Sequence, residues 1–203
     1  MMSTDSLDDK WSTAETEIMQ ATYQALLTHG YADLSILDIA EELDKSKSAL
    51  YYHYDSKEDL FIAFLEFAVD QFESSISTES GEDPREDLDH FIEKLLPLQP
   101  DEDQRQLQEV LVGLRSQSAT NAEFRKQFTR IDERLATTIQ EIIEQGIEMG
   151  TFCDVDPTRV AEHILATING ARYTRATTDR ENAAAAVRVS LASYIDTELR
   201  RRS

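Results

Sequence analysis

One cysteine, four prolines and six glycines in 203 residues leave this chain few covalent staples and few places to break a helix. The lone Cys153 excludes an internal disulfide and a cysteine-rich metal site, and reads as a small side chain near a helix end. No apolar run approaches the roughly 18 residues needed to span a bilayer. The polar first dozen residues also lack the charged-then-apolar layout of a signal peptide, so a soluble, cytoplasmic protein is expected. The four histidines, at 29, 53, 90 and 163, fall on separate segments. With no HExxH, nucleophile elbow or glycine-rich phosphate loop, the chain offers no catalytic constellation, no cofactor and no metal site. Basic residues are scarce: 20 Lys plus Arg stand against 40 Asp plus Glu, a net charge of −20. The first arginine is Arg85.

What is present is concentrated between Ser35 and Lys57, SILDIAEELDKSKSALYYHYDSK. Ser35 can cap a helix by accepting an otherwise unpaired backbone N–H, and Asp38 favours the same helix start. Ile36, Ile39, Ala40 and Leu43 then recur at i, i+3, i+4 and i+7, one apolar face of a helix of about two turns. Asp44 tolerates the conformations that stop a helix, and Ser46 offers a second N-cap. The second helix runs through Ala49 and Leu50 to Tyr52. Two helices joined by so short a turn form a helix-turn-helix, with Leu50 as the inward anchor. Lys47, Ser48, Ala49, Tyr51, Tyr52 and His53 are left near a surface able to enter a major groove. Lysine and hydroxyl donors suit phosphate oxygens, and a tyrosine can press its ring on a thymine methyl.

This segment resembles the tetracycline-repressor (TetR) family of dimeric transcriptional regulators. The resemblance is carried by Leu50, Tyr51, Tyr52, His53 and Tyr54, followed by Ser56, Lys57, Glu58, Asp59 and Leu60. It extends upstream through Ile18, Ala21, Leu26, Gly30 and Tyr31, a first helix and its glycine stop. Leu43, Asp44 and Lys45 stand where the family usually has Ala-Gly-Val, and Ala49 replaces a usual hydroxyl residue. The resemblance implies a DNA-binding domain over 12–56, after a flexible tail over 1–11, and a helical effector-binding and dimerisation domain over 57–203. It implies a DNA-contacting set of Ser35, Ile36, Lys45, Ser46, Lys47, Ser48, Ala49, Tyr51, Tyr52, His53 and Lys57.

A DNA-binding reading must answer the charge, because nucleic-acid binders ordinarily carry a basic footprint. Residues 1–60 hold four lysines and thirteen carboxylates, a net of −9, but Lys45 to Lys57 holds three lysines against Asp55 alone. The acid is kept off the reading segment. An acidic surface with pI near 4.4 is what molar salt selects, since self-repulsion is screened at a Debye length of about 3 Å. A halophilic, archaeal source is therefore expected. Screening also weakens counterion release, so affinity should rest on base contacts and shape more than on phosphate neutralisation.

The rest of the chain reads as helix. Leu60, Phe61, Phe64, Leu65, Ala68 and Phe72 form a stripe on a segment from Ser56 to about Ser75, which resembles the family's connecting helix; Lys57 in its first turn can meet a phosphate. Thr78 to Asp83 is a loop. Amphipathic segments follow over Pro84 to Leu96, Asp101 to Ser118, and Asn121 to Met149, the last with Phe124, Phe128, Ile131, Leu135, Ile139, Ile142 and Gly146 on one face and Gly150 as its stop. The last two helices, about Asp156 to Thr177 and Asp179 to Arg201, are by resemblance the dimer helices. Val160, Ile164, Ile168 and Ala171 on one, with Ala184, Val187, Leu191 and Tyr194 on the next, are the expected interface, against the alternative of an intramolecular core. The family's effector pocket would draw on Phe64, Phe67, Phe91, Val110, Leu114, Phe128 and Leu135, with Gln108, Arg115, His163, Asn169 and Tyr173 as polar candidates. A small hydrophobic effector fits that set. The C-terminal Arg200 to Arg202 would complement a helix end. The reading is an all-α, homodimeric repressor that leaves a palindromic double-stranded operator when its effector binds. The alternative is a small-molecule- or partner-binding dimer whose head has lost DNA affinity.

Overall fold

The computed structural model describes residues 10–77, 83–180 and 182–199. Their regular structure is helical throughout: α1 (Thr13–Asp33), α2 (Ile36–Glu42), α3 (Lys47–His53), α4 (Lys57–Ser77), α5 (Pro84–Leu95), α6 (Glu102–Gln117), α7 (Ala122–Glu148), α8 (Pro157–Thr177) and α9 (Ala183–Tyr194), closed by a π-helical turn, Ile195–Leu199. The chain forms two compact units, 1–78 with 109–128 and 79–108 with 129–203.

In the first unit local chemistry sets the starts of α1, α2 and α7. Ser12 and Glu15 form a reciprocal capping box at the start of α1, and Ser35 and Asp38 repeat it at α2. Gly30 breaks α1 at φ 67° without ending it, and Tyr31 to Asp33 return to helical geometry. Ile18, Met19, Leu26, Ile39, Leu50, Leu60 and Phe61 are all at most 2 % exposed, so the faces read from periodicity are buried. Lys10 and Trp11, ahead of α1, are held on α4. Lys10 Nζ donates to Asp70 at 2.7 Å and Glu66 at 3.0 Å, Trp11 Nε1 donates to Asp70 at 2.9 Å, and the indole meets Phe67 edge-on at 5.4 Å. Burial works against the Lys10 charge, but its bonds to the two carboxylates outweigh that and raise its pKa. Asn121 Oδ1 caps α7 by accepting from the N–H groups of Glu123 and Phe124.

In the second unit α8 and α9 pack side by side. Arg175 of α8 reaches the α5–α6 connection and α6 itself, donating to the Pro97 carbonyl at 2.7 Å and to Gln108 Oε1 at 2.6 Å. Arg188 of α9 pairs with Glu93 of α5 at 2.7 Å. The α7 stripe passes through Leu135, Ile139 and Ile143 rather than Ile142, which is only half-buried. After α7, Gly150 takes φ 76° and turns the chain so that Phe152 is buried over Gly146. The last helix is shorter than its sequence pattern suggests, beginning at Ala183 and passing into the π turn after Tyr194. Most of the expected loop, 78–82, and Arg200 to Arg202 lie outside the described residues.

Candidate nucleic-acid interface

The reading head is set by one residue of left-handed backbone. Asp44, at φ 51°, is the sole non-glycine with positive φ among the described residues. It lets the chain reverse between α2 and α3 within Leu43 to Ser46, while the Lys45 N–H returns to the Ala40 carbonyl at 3.1 Å. Asp thus does the work expected where the family usually carries glycine. Ser46 occupies the N-cap position of α3, but its hydroxyl makes no cap bond, so this expected cap is absent and the start of α3 depends on the turn itself.

Leu50, 1 % exposed, pins α3 inward, and the opposite side is open: Tyr52 is 86 % exposed and Tyr51 45 %, with Lys47, Ser48 and His53 also exposed. Lys47 Nζ lies 5.5 Å over the Tyr51 ring, and the Tyr52 and His53 rings meet edge-on at 5.3 Å. Ala49 is half-buried between these faces. Tyr54 closes the segment; burial, with a smaller contribution from Glu15, pushes its phenol up to about 12, and its buried hydroxyl has no partner among the described residues.

Three residues of the expected contact set are placed differently. Ile36 is 7 % exposed, its side chain packed into the core at the start of α2. Lys57 turns back into the protein: its ammonium donates to the main-chain carbonyls of Tyr31 and Leu34 and sits 4.9 Å over the Tyr31 ring. Lys45 pairs with Glu17 of α1 at 2.8 Å, an exposed bridge that a phosphate could displace. Ser35 is engaged in its capping box. Leu37, in the first turn of α2, is 52 % exposed and lies off the buried face that the apolar periodicity marks.

The other expected sites divide as follows. Val160, Ile164, Ile168, Ala171, Ala184 and Leu191 are each at most 4 % exposed within a single chain, and Val187 and Tyr194 are half-buried. Within the single chain these apolar faces are covered, as the intramolecular alternative expects. The outward side of these helices instead carries His163, Ala166, Gly170 and Tyr173 on α8, and Ala185, Ala186 and Val189 on α9. Of the pocket candidates, Phe64, Val110, Leu114 and Phe128 are buried in the first unit, where Arg115 stacks its guanidinium 4.8 Å over the Phe128 ring. Phe67 is taken up by Trp11. Phe91, Leu135 and Gln108 are buried in the second unit, with Gln108 bound to Arg175, and Asn169 is half-buried. Tyr173, 61 % exposed, faces solvent rather than an interior. Among the described residues no group of His, Cys, Asp and Glu is arranged to hold a metal ion, and no helix is long and apolar enough to cross a membrane.

A short helix pair with a buried anchor and an exposed Lys-Tyr-Tyr face defines a helix-turn-helix DNA-binding protein. The family model described as "Bacterial regulatory proteins, tetR family" matches residues 18–64, and that described as "BetI-type transcriptional repressor, C-terminal" matches 84–200. A TetR transcription regulator from Haloarcula marismortui is 37 % identical, with a TM-score of 0.84 over 94 % of this chain and 100 % of that one. A transcriptional regulator from Saccharomonospora viridis, solved in complex with choline, is 26 % identical with a TM-score of 0.80 over 94 % of this chain and 100 % of that one. An HTH-type transcriptional regulator of Mycobacterium bovis is 29 % identical over 69 % of this chain, and the match spans 66 % of that relative's length. The chain belongs to the TetR family, and it is a DNA-binding transcriptional regulator rather than an enzyme.

Proposed function

We propose that this regulator is a homodimeric, cytoplasmic repressor that binds a palindromic operator through α2 and α3 and leaves it when a small, largely apolar effector binds. The observation that carries the reading is the outward face of α3, where Lys47, Ser48, Tyr51 and Tyr52 stand exposed around the buried Leu50. Residues 12–56 act as the DNA-binding domain and 57–203 as the effector-binding and dimerisation domain. Ser46, Ser48, His53, Lys45 and Lys47 supply phosphate and base-edge contacts, and Tyr51 and Tyr52 supply ring contacts. The dimer forms through the outward side of α8 and α9, where the small residues Ala166, Gly170, Ala185 and Ala186 allow close approach and Tyr173 and Val189 supply apolar surface.

For effector release, the ligand must bind the DNA-incompetent state better by about 1 to 3 kcal/mol. Choline is the natural first probe, because it is bound in the S. viridis relative and its quaternary ammonium suits aromatic faces. The acidic surface and the H. marismortui relative support function in a salt-rich cytoplasm. The test is a mobility shift of the protein's own upstream DNA in roughly 1 M KCl, where screening leaves mainly specific contacts. The shift should vanish in Lys47→Ala/Tyr52→Ala and weaken with effector. Binding that survives the double substitution refutes the assigned surface.

A further inference from the structure

Reading a base pair by paired hydrogen bonds calls for arginine or lysine on guanine, or asparagine or glutamine on adenine. Between Lys45 and His53 there is no Arg, Asn or Gln, and no arginine precedes Arg85. Lys45 is paired with Glu17 and Lys57 with two backbone carbonyls, which leaves Lys47 beside Tyr51 as the cation of the exposed α3 face. What the head presents instead is apolar. Of the seven large hydrophobic residues exposed among those described, Leu37, Tyr51 and Tyr52 lie on α2 and α3. Surface of this kind at a binding face marks a partner that offers apolar groups. In a major groove that group is the thymine C5-methyl.

We propose that this head selects its operator chiefly by thymine methyl groups, with Tyr51 and Tyr52 as the specificity-determining residues and Lys47 supplying a single acceptor-seeking contact. The inference rests on the operator-binding surface proposed above. Tyr52 is 86 % exposed, its ring meeting His53 of the same helix edge-on. Apolar contact also suits an acidic protein in concentrated salt, where phosphate attraction is screened but apolar association is not.

The test begins with selection of binding sites from a random duplex library by the full-length protein in roughly 1 M KCl, where non-specific retention is suppressed. Each thymine of the selected site is then replaced by deoxyuridine, which removes the methyl and keeps every hydrogen-bonding group. At two or more positions per half-site the loss should be about threefold to fourfold, the value of burying one methyl-sized group. Tyr52→Phe should keep that discrimination and Tyr52→Ala should abolish it at the positions it reads. A site whose invariant positions are all G·C, or deoxyuridine losses below twofold throughout, overturns the proposal while leaving operator binding intact. Discrimination that persists unchanged in both Tyr52→Ala and Tyr51→Ala overturns the residue assignment. Failure to enrich any sequence overturns the binding surface itself.

Discussion

The ammonium of Lys57 donates to the main-chain carbonyl of Leu34, so the first residue of α4 closes the carbonyl end of α1. A cation at a helix C-terminus satisfies orphan acceptors and opposes the helix dipole. The Tyr31 and Phe61 rings beneath it, themselves edge-on at 5.1 Å, hold the charge over apolar surface. Lys57→Met should lower stability by about 1 to 2 kcal/mol, read as a drop in Tm. Lys47→Met should leave Tm unchanged and weaken DNA binding. Equal Tm values for the two variants would contradict this division of labour.

Leu191 and Val189 lie two residues apart on α9 with opposite exposure, 2 % against 72 %. Leu191→Ala should cost about 2 to 5 kcal/mol through a core cavity. Val189→Glu should leave the subunit folded and shift sedimentation from dimer to monomer. A Val189→Glu protein that remains dimeric would move the interface elsewhere.

Any Cβ at position 146 would lie far inside van der Waals contact with Cδ2 of Phe152. Alanine ordinarily gains about 1 kcal/mol over glycine in a helix, yet Gly146→Ala should destabilise by about 1 to 3 kcal/mol through overpacking. Denaturant unfolding checks this, and Phe152→Leu should recover part of the loss.

Hydrogen bonds from Ser12 hold the Glu15 carboxyl below its usual range, and those from Ser35 do the same for Asp38. A depressed carboxyl stabilises the fold above its unfolded pKa, and that contribution is lost as pH falls below it. Acid titration should therefore loosen the starts of α1 and α2 as pH drops below about 4. Helical circular dichroism of Ser12→Ala/Ser35→Ala should show a weaker dependence over this range.

Tyr54 reverses the sign. Its phenol, pushed up to about 12 by burial, must stay protonated in the fold, so stability is complete below pH of about 10 and falls as pH rises from there. Tyr54→Phe removes a buried hydroxyl without a partner among the described residues and should raise Tm while flattening that alkaline decline.

Local chemistry in the sequence determined the helices, the cap at Ser35, the Asp44 turn, the inward Leu50 and the outward tyrosines. Each depends on contacts within a few residues, where spacing and side-chain type suffice. Membership of the TetR family was legible for the same reason, because its motif is a compact string. Only the tertiary structure decided which way a helix with two usable faces turns. Val160, Ile164 and Ile168 read as a dimer seam with a subunit core as the alternative, and the tertiary structure buries them within the chain, where α9 packs against α8. It likewise turned Lys57 from the duplex to the α1 carbonyls, and gave Gly146 a reason in Phe152 that no helical period contains. Periodicity gives the spacing of a face, whereas the partner that covers it is fixed by segments distant in sequence.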